Sequence, residues 1–377
     1  MPARRTATEV PTLSLRELNR ALLARQMLLT RQKIGVVDAV ERLGGLQAQW
    51  APSPYVALWS RLADFTRESL TKSIDRGDLI KATLMRATLH LVSAREYSAY
   101  SAATLDGRFG AWRPPGSPLL KDLEAMYASV LKLAAKTPRT REEIQAHIAA
   151  HLPKSAAKDE RVRNWLLFAA IATSGLIWEP ASARFEYRQL ARFVAPPARL
   201  RKAPRPDAAY DLVVRHHLAA FGPASVQDVA TWSSVRTPHI RAALGRMKDL
   251  RRFHDEHGHE LFDLARAPRP PAETAAPVRY LARFDAAILG HDSAERTRIL
   301  PAAYKKQVIF SAEVWQTFLV DGFVAGRYRL ASTKKEALLT LEPFKPLRRA
   351  DKAALVDEGE HLVRFYYPNI PRHEVKA

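Results

Sequence analysis

Cysteine is absent from all 377 residues. That rules out disulfides, a cysteine nucleophile and thiolate metal sites together. Long apolar runs are missing too. The most apolar stretch, Leu166 to Ile177, is short and broken by Thr173, Ser174 and Gly175, too little to span a bilayer. The start, Met1-Pro2-Ala3-Arg4-Arg5-Thr6, is basic, but the apolar core of a secretory leader does not follow it. No glycine-rich phosphate loop, dinucleotide fingerprint or Gly-x-Ser-x-Gly elbow occurs, so no cofactor is expected. No metal is expected either. His254-Asp255-Glu256-His257-Gly258-His259-Glu260 lacks the helical His-Glu-x-x-His spacing and reads as a solvated turn. The chain is expected to be soluble and cytoplasmic, with no membrane contact.

Acidic residues are also in deficit, at 39 against 59 lysines and arginines, for a net charge of +20. The excess is spread along the whole chain. Such a balance favours a polyanionic partner, nucleic acid above all, with a plain coding bias toward arginine as the alternative. Hydrophobic content of 47% is that of a folded protein. The length exceeds one compact core and calls for several units.

Four units are expected, at 13–112, 118–195, 207–267 and 277–370. In the first, Leu15, Leu18, Leu22 and Leu23 recur at helical spacing, with Ser14 and Glu17 placed as a capping box. Further helical patterns cover Gly35 to Leu43, the segment after Gln49, and Thr66 to Arg76, which stops at Gly77. Leu79 to Val92 then alternates as paired strand. The second unit has helices over Leu120 to Ala135, from Thr140, and over Val162 to Thr173. A hairpin of 175–179 with 185–188 follows. The third repeats the order: helices over Ala209 to Phe221, from Ser225, and over Thr237 to Leu244, then strands flanking the histidine-rich turn. Helices followed by a hairpin is the order of a winged helix-turn-helix. Beyond Pro268 to Thr274, strands are expected at 278–281, 307–310, 317–320, 324–330, 337–341 and 361–366, with an Asp321-Gly322 turn. The fold class is therefore α+β: tandem winged helix-turn-helix units followed by a small C-terminal antiparallel β-barrel or sheet. No apolar heptad stands out, so a monomer is expected.

The most informative motif is Gly44-Gly45-Leu46-Gln47-Ala48-Gln49. Amide side chains cannot act as strong acids or bases, but they donate and accept at once and can hold a water or a ligand. Taken alone, the pair also reads as a solvated helix start. Arg86 and His90, with Thr88 between them, are expected on one strand face. Phosphate or lesion contact is one reading of that face, and packing against a neighbouring unit is the other. Asp38 and Glu41 are expected to face solvent, and His216 and His217 to point apart.

Several blocks, in order, resemble the AlkZ/YcaQ-like winged-helix DNA glycosylases over roughly residues 13 to 367. They are Leu18-Asn19-Arg20 with Arg25-Gln26, the Gly44 to Gln49 motif, and Leu84 to Val92. Phe284-Asp285 with Leu289-Gly290-His291, Arg296 to Leu300, and Val320 to Gly326 complete the set. The resemblance implies tandem winged helices and a β-barrel cupping duplex DNA, with removal of N-alkylated bases or unhooking of crosslinks. The family's catalytic signature is glutamine, an apolar residue, then glutamine or aspartate, and Gln47 and Gln49 match its glutamine form. Arg86, His90 and Arg298 are assigned to DNA contact, with Asp285 as a cap or an alternative partner for Arg298. The chain departs from the pattern at Ala48, at Ala87 where glycine is expected, and at Tyr328 where tryptophan is more usual.

Without a carboxylate base, such a site depends on the substrate for activation. Purines alkylated at N3 or N7 carry a positive charge, so the bond to the sugar breaks more readily toward an oxocarbenium-like state. A monofunctional glycosylase acting on alkylated double-stranded DNA, nucleoid-associated, is the expected function. A non-catalytic winged-helix DNA-binding protein is the rival, because the fold alone does not imply chemistry.

Overall fold

The computed structural model describes residues 10–112, 123–187 and 191–377. It is a mixed α+β protein with several sheets and, among the described residues, no closed barrel. The chain enters through β1 (Thr12–Leu13) and helix α1 (Leu15–Arg25). The expected capping box forms: the Ser14 hydroxyl accepts from the Glu17 N–H, and Glu17 accepts from the Ser14 N–H. Helices Val36–Arg42, Ser53–Trp59 and Arg67–Asp75 follow, the last capped by Thr66 and ending before Gly77 in the left-handed region.

Helix α1 starts exposed at Leu15 and Arg16 but is buried from Leu18 to Arg25 apart from half-buried Ala24, and its polar residues tie the chain together. Asn19 donates to the carbonyls of Arg298 (2.6 Å) and Gly322 (2.8 Å). Arg20 pairs with Asp321 at 2.5 Å. Arg25 grips Asp263 with two bonds of 2.7 and 2.8 Å, and Gln26 donates to the Ala220 carbonyl at 2.9 Å. Removing one member of a buried pair such as Arg25–Asp263 leaves an uncompensated charge, at a cost of about 3–5 kcal/mol. The blocks that carry the family resemblance outside the glutamine motif are thus largely structural staples.

β2 (Leu46–Gln47), β3 (Leu79–Thr83) and β4 (Leu89–Ser93) lie in one six-stranded sheet with β5 (Arg139–Thr140), β6 (Ile177–Trp178) and β7 (Arg192–Val194), in the order β2-β4-β3-β6-β7-β5. The first two units therefore share a sheet, joined where Ala82 faces Ile177. The alternating run 79–92 is a hairpin, as expected, but it breaks at Met85–Ala87 into a tight turn. In the second unit the helices are Leu123–Lys136, Arg141–Ala150 and Glu160–Thr173. The expected start at Leu120 and the end at Arg188 lie outside the described residues. The return strand is β7 rather than 185–188, because Pro180 opens a 3-10 turn that carries Phe185 away from the ladder.

The third unit runs Pro206–Phe221, Val226–Ser233 and Thr237–Arg246, then β8 (Leu250–Asp255) and β9 (Glu260–Leu264) around the histidine-rich turn. β1 adds to β8 in parallel. The C-terminal part is an open sheet: β10 (Arg279–Leu281), β13 (Thr317–Val320), β14 (Phe323–Ser332), β15 (Glu336–Pro343) and β16 (Arg372–Lys376). The hairpin of β11 (Ile309–Phe310) and β12 (Glu313–Val314) stands apart from it. Of the expected barrel or sheet it is the sheet that forms, but not a wholly antiparallel one, because β16 runs parallel to β15. Residues 361–366 are the end of a helix, Arg349–Tyr366, rather than a strand. Leu355, Gly359, Leu362 and Val363 form its buried face at helical spacing, and this crossover is what reverses the chain into a parallel strand. Asp321-Gly322 makes the expected turn, both residues with positive φ. A Cβ on Gly322 would lie 2.6 Å from Asn19 and Arg20 atoms, so only glycine fits beneath α1.

Candidate active site

The glycine pair turns the chain from the helix Val36–Arg42 into β2 through two left-handed residues, φ +72° at Gly44 and +85° at Gly45. A Cβ on Gly45 would meet Val92 at 2.9 Å. β2 then pairs antiparallel with β4, Leu46 opposite Leu91 and Gln47 opposite His90. The motif is thus a short edge strand and not the start of a helix. Ala48 is buried and donates its N–H to the Leu89 carbonyl at 2.7 Å.

Both carboxamide oxygens are held by the protein. Gln47, 8% exposed, accepts from Arg86 Nη2 at 2.8 Å. Gln49, exposed, accepts the Leu89 N–H at 3.1 Å. Guanidinium and backbone N–H groups only donate, so these contacts fix which side of each amide is oxygen and turn the two NH2 groups away from the anchors. Neither anchor is a carboxylate.

Arg86 is not on a strand face. It sits in the left-handed region at φ 54°, in the turn between β3 and β4, and donates to Gln47 and to the Trp232 carbonyl at 3.0 Å. The two-strand period was interrupted by residues that a hairpin turn needs, so Arg86 and His90 are not i, i+4 neighbours on one strand. They converge on Gln47 by different routes: Arg86 by hydrogen bond, His90 by cross-strand pairing. Burial lowers the guanidinium to about 10, with Arg296 adding repulsion. Burial and Arg86 together push His90 down to about 3, so its ring is neutral. Its Nδ1 faces the Thr88 carbonyl at 3.0 Å; a carbonyl only accepts, so Nδ1 carries the proton and Nε2 the lone pair.

Arg298 is corrected. It is 1% exposed, donates to the Pro223 carbonyl and lies 3.3 Å from His291 and 3.6 Å from Glu295. Buried among these partners, it presents no exposed cation in the free protein and links Pro223 to the C-terminal part. Asp285 caps the turn at Ala287 as expected, but its ion pair is with Arg61, at 2.6 and 3.0 Å, rather than with Arg298. Asp38 and Glu41 are both bound by Arg95 on the surface. His216 and His217 do point apart, toward Tyr100 and the Gly290 carbonyl. The histidine-rich turn brings Asp255 and His259 together with Glu295, His259 Nδ1 donating to Asp255 at 2.9 Å. This is a hydrogen-bonded turn.

Beside Gln49 opens a cleft of about 1070 Å³ that sequence reading missed. Trp50, Trp178 and Phe185 are among its walls, and Arg67 and Lys81 supply charge. The signal that was available is Lys81 itself, a lone cation within the otherwise apolar strand Leu79-Ile80-Lys81-Ala82. No helix among the described residues is long and apolar enough to cross a membrane.

Comparison with known proteins places the chain among the DNA-repair glycosylases. The chain belongs to the AlkZ-like DNA glycosylase family, whose profile, described as "DNA glycosylase AlkZ-like", matches residues 40–365. A curated relative, the interstrand DNA cross-link repair glycosylase of Streptomyces sahachiroi, is 26% identical over 360 residues, covering 90% of this chain and 93% of that protein. The solved structure of the Streptomyces sahachiroi DNA glycosylase AlkZ superposes with a TM-score of 0.77 at 24% identity, covering 97% of this chain and 99% of that one. The rival reading, a DNA-binding protein with no chemistry, gives way to the enzyme.

Proposed function

We propose that this glycosylase hydrolyses the N-glycosidic bond of cationic N-alkylated purines in double-stranded DNA, crosslinked purines included, with Gln47 and Gln49 as its catalytic pair. The observation that carries the reading is the anchoring of both amide oxygens by Arg86 and by Leu89. An amide so held has no useful basicity, but its geometry is fixed. The pair presents NH2 donors and the remaining oxygen lone pairs, enough to hold one water on the sugar C1′ side and to touch the backbone. Since neither amide can serve as a strong base, the barrier falls most when the leaving base arrives already charged. A 7- or 3-alkylpurine departs as a neutral base, and water supplies the hydroxyl at C1′ and releases a proton. A neutral uracil gains nothing from this site.

Arg86 orients Gln47 and is not spent on a phosphate in the free protein. His90, neutral and 2% exposed, closes the inner side of the pair. Tandem winged-helix units around one duplex, acting as a monomer at the nucleoid, are the arrangement this reading assumes. The excess of 20 positive charges supports a DNA partner.

The test is release of free 7-methylguanine from methylated duplex DNA by wild type and by Gln47→Ala/Gln49→Ala. Release by wild type, lost in the variant while DNA affinity stays within a few fold, is the expected result. Equal release by both would remove the pair from the chemistry. A duplex crosslinked through two guanine N7 atoms then reports whether crosslinks are unhooked.

A further inference from the structure

The cleft beside Gln49 lies between the first two units and the C-terminal part, and it is too large for a water site. At about 1070 Å³ it exceeds the ~300–1,000 Å³ of ordinary ligand pockets. Arg67, Lys81, Arg141 and Glu186 carry charge there, and the first two are bound in an unusual way. Lys81 is 6% exposed, yet the one hydrogen bond of its ammonium among the described residues runs to the Ser182 carbonyl at 3.4 Å. The ammonium lies 4.2 Å from the ring centre of Trp178. Arg67 lies 3.7 Å from the ring centre of Phe185. An ammonium has three N–H donors, so Lys81 holds unspent donors toward the cleft.

This chemistry selects its occupant. Trp178 and Phe185 are already faced by cations, and the walls carry three cations, Arg67, Lys81 and Arg141, against one carboxylate, Glu186, so a further positive charge is disfavoured. The alkylpurine still joined to its sugar, which is cationic until the bond breaks, is therefore disfavoured in the cleft. A flat neutral ring with acceptor oxygens or nitrogens fits: it stacks on the face of exposed Trp50 that Arg283, 5.3 Å from the ring centre, does not cover, and takes the free N–H groups of Lys81. Gln49 lines the same cleft, so such a ring has to be tethered close to the nucleotide being processed. We infer that the cleft is a second DNA subsite, adjoining Gln49, for a neutral acceptor-bearing aromatic ring attached to the bound DNA. Two sources share that chemistry: an unstacked nucleobase next to the lesion, or the aromatic body of a bulky adduct. Stacking of such a ring is worth about 1–3 kcal/mol, or roughly 5- to 150-fold in affinity. Burial holds the Lys81 ammonium down to about 8, consistent with a cation that gains from an acceptor brought to it.

The inference rests on the DNA reading above, so its test reads binding and not excision. Three duplexes are compared by fluorescence anisotropy: fully paired and undamaged, carrying one unpaired nucleotide, and carrying a bulky aromatic N7-guanine adduct on a 2′-fluoro sugar that resists hydrolysis. Wild type is expected to prefer the unpaired or the adducted duplex at least 5-fold over the undamaged one. Preference for both marks the nucleobase as the source, and preference for the adduct alone marks the adduct. Lys81→Met and Trp50→Ala are each expected to bring the preference to within two-fold of unity. A second measurement avoids variants altogether: at pH 8, acetylation of Lys81 in the wild-type protein should slow at least 5-fold under the preferred duplex, read by mass spectrometry. No preference in wild type, or Lys81 acetylated at the same rate with and without the preferred duplex, overturns the inference. Either result leaves the 7-methylguanine assay free to stand or fall by itself.

Discussion

Arg86 Nη2 donates to Gln47 Oε1 across 2.8 Å, from a residue in left-handed backbone to one in an edge strand. The contact joins two blocks 39 positions apart and fixes the orientation of the Gln47 amide. The same guanidinium reaches the Trp232 carbonyl, which ties the pair to the third unit.

Arg86→Ala frees the Gln47 amide. Loss of a hydrogen bond to a charged group is worth about 1.5–3 kcal/mol, so single-turnover release of 7-methylguanine should fall about 10- to 150-fold. Arg86→Lys should recover only part of this, since one ammonium cannot match the fork that serves both Gln47 and Trp232. Unchanged rates in Arg86→Ala would show that Gln47 needs no anchor.

Ala87 has φ 53°, where an alanine is strained and a glycine is not. Ala87→Gly should raise stability by about 1 kcal/mol, the left-handed penalty less the entropy glycine adds to the unfolded chain. The urea midpoint would rise with no change in slope. A lower midpoint would mean that the turn is not held in this conformation in solution.

Gly45→Ala combines a positive φ with a 2.9 Å approach to Val92. It should shift β2 along β4, lower the melting temperature by several degrees, and cost excision more than stability explains. Excision retained at full rate in a folded Gly45→Ala protein would separate the glycine pair from the site.

His90 and His217 are pushed down to about 3 and about 4 by burial, and His291 is lowered in the same way. The unfolded chain binds protons at these rings below about pH 6.5 while the folded one does not, so stability falls as pH drops from 6.5 toward 4. Each ring contributes about 1.4 kcal/mol per pH unit within that window. Melting curves from pH 7.5 to 4.5 should show this loss, and His90→Gln should make it shallower. A variant as steep as wild type would place a charged His90 in the folded state.

Arg298→Met tests whether the buried guanidinium is a structural brace or a phosphate contact. A buried brace predicts a clear loss of stability with an unchanged salt slope of DNA binding, whereas a phosphate contact predicts a slope shallower by about 0.9.

The sequence by itself determined the local elements and the chemistry of the motif. Ser14 with Glu17, Thr66 with Gly77, and Asp321 with Gly322 are signals complete within a few residues, and each formed as read. The absence of cysteine and the glutamine spacing likewise needed no structure. What only the tertiary structure decided are the relations across the chain. The break in 79–92 depends on Arg86 finding Gln47 and Trp232. The helical state of 361–366 depends on which face of Leu355 to Val363 meets the C-terminal sheet. Arg298 reads as a surface cation in sequence and is buried because Pro223, His291 and Glu295 converge on it. The cleft at Gln49 has walls from three distant segments. Local propensity is encoded within a turn or two of chain, but burial, register and cavities arise from contacts hundreds of residues apart, which no single stretch specifies.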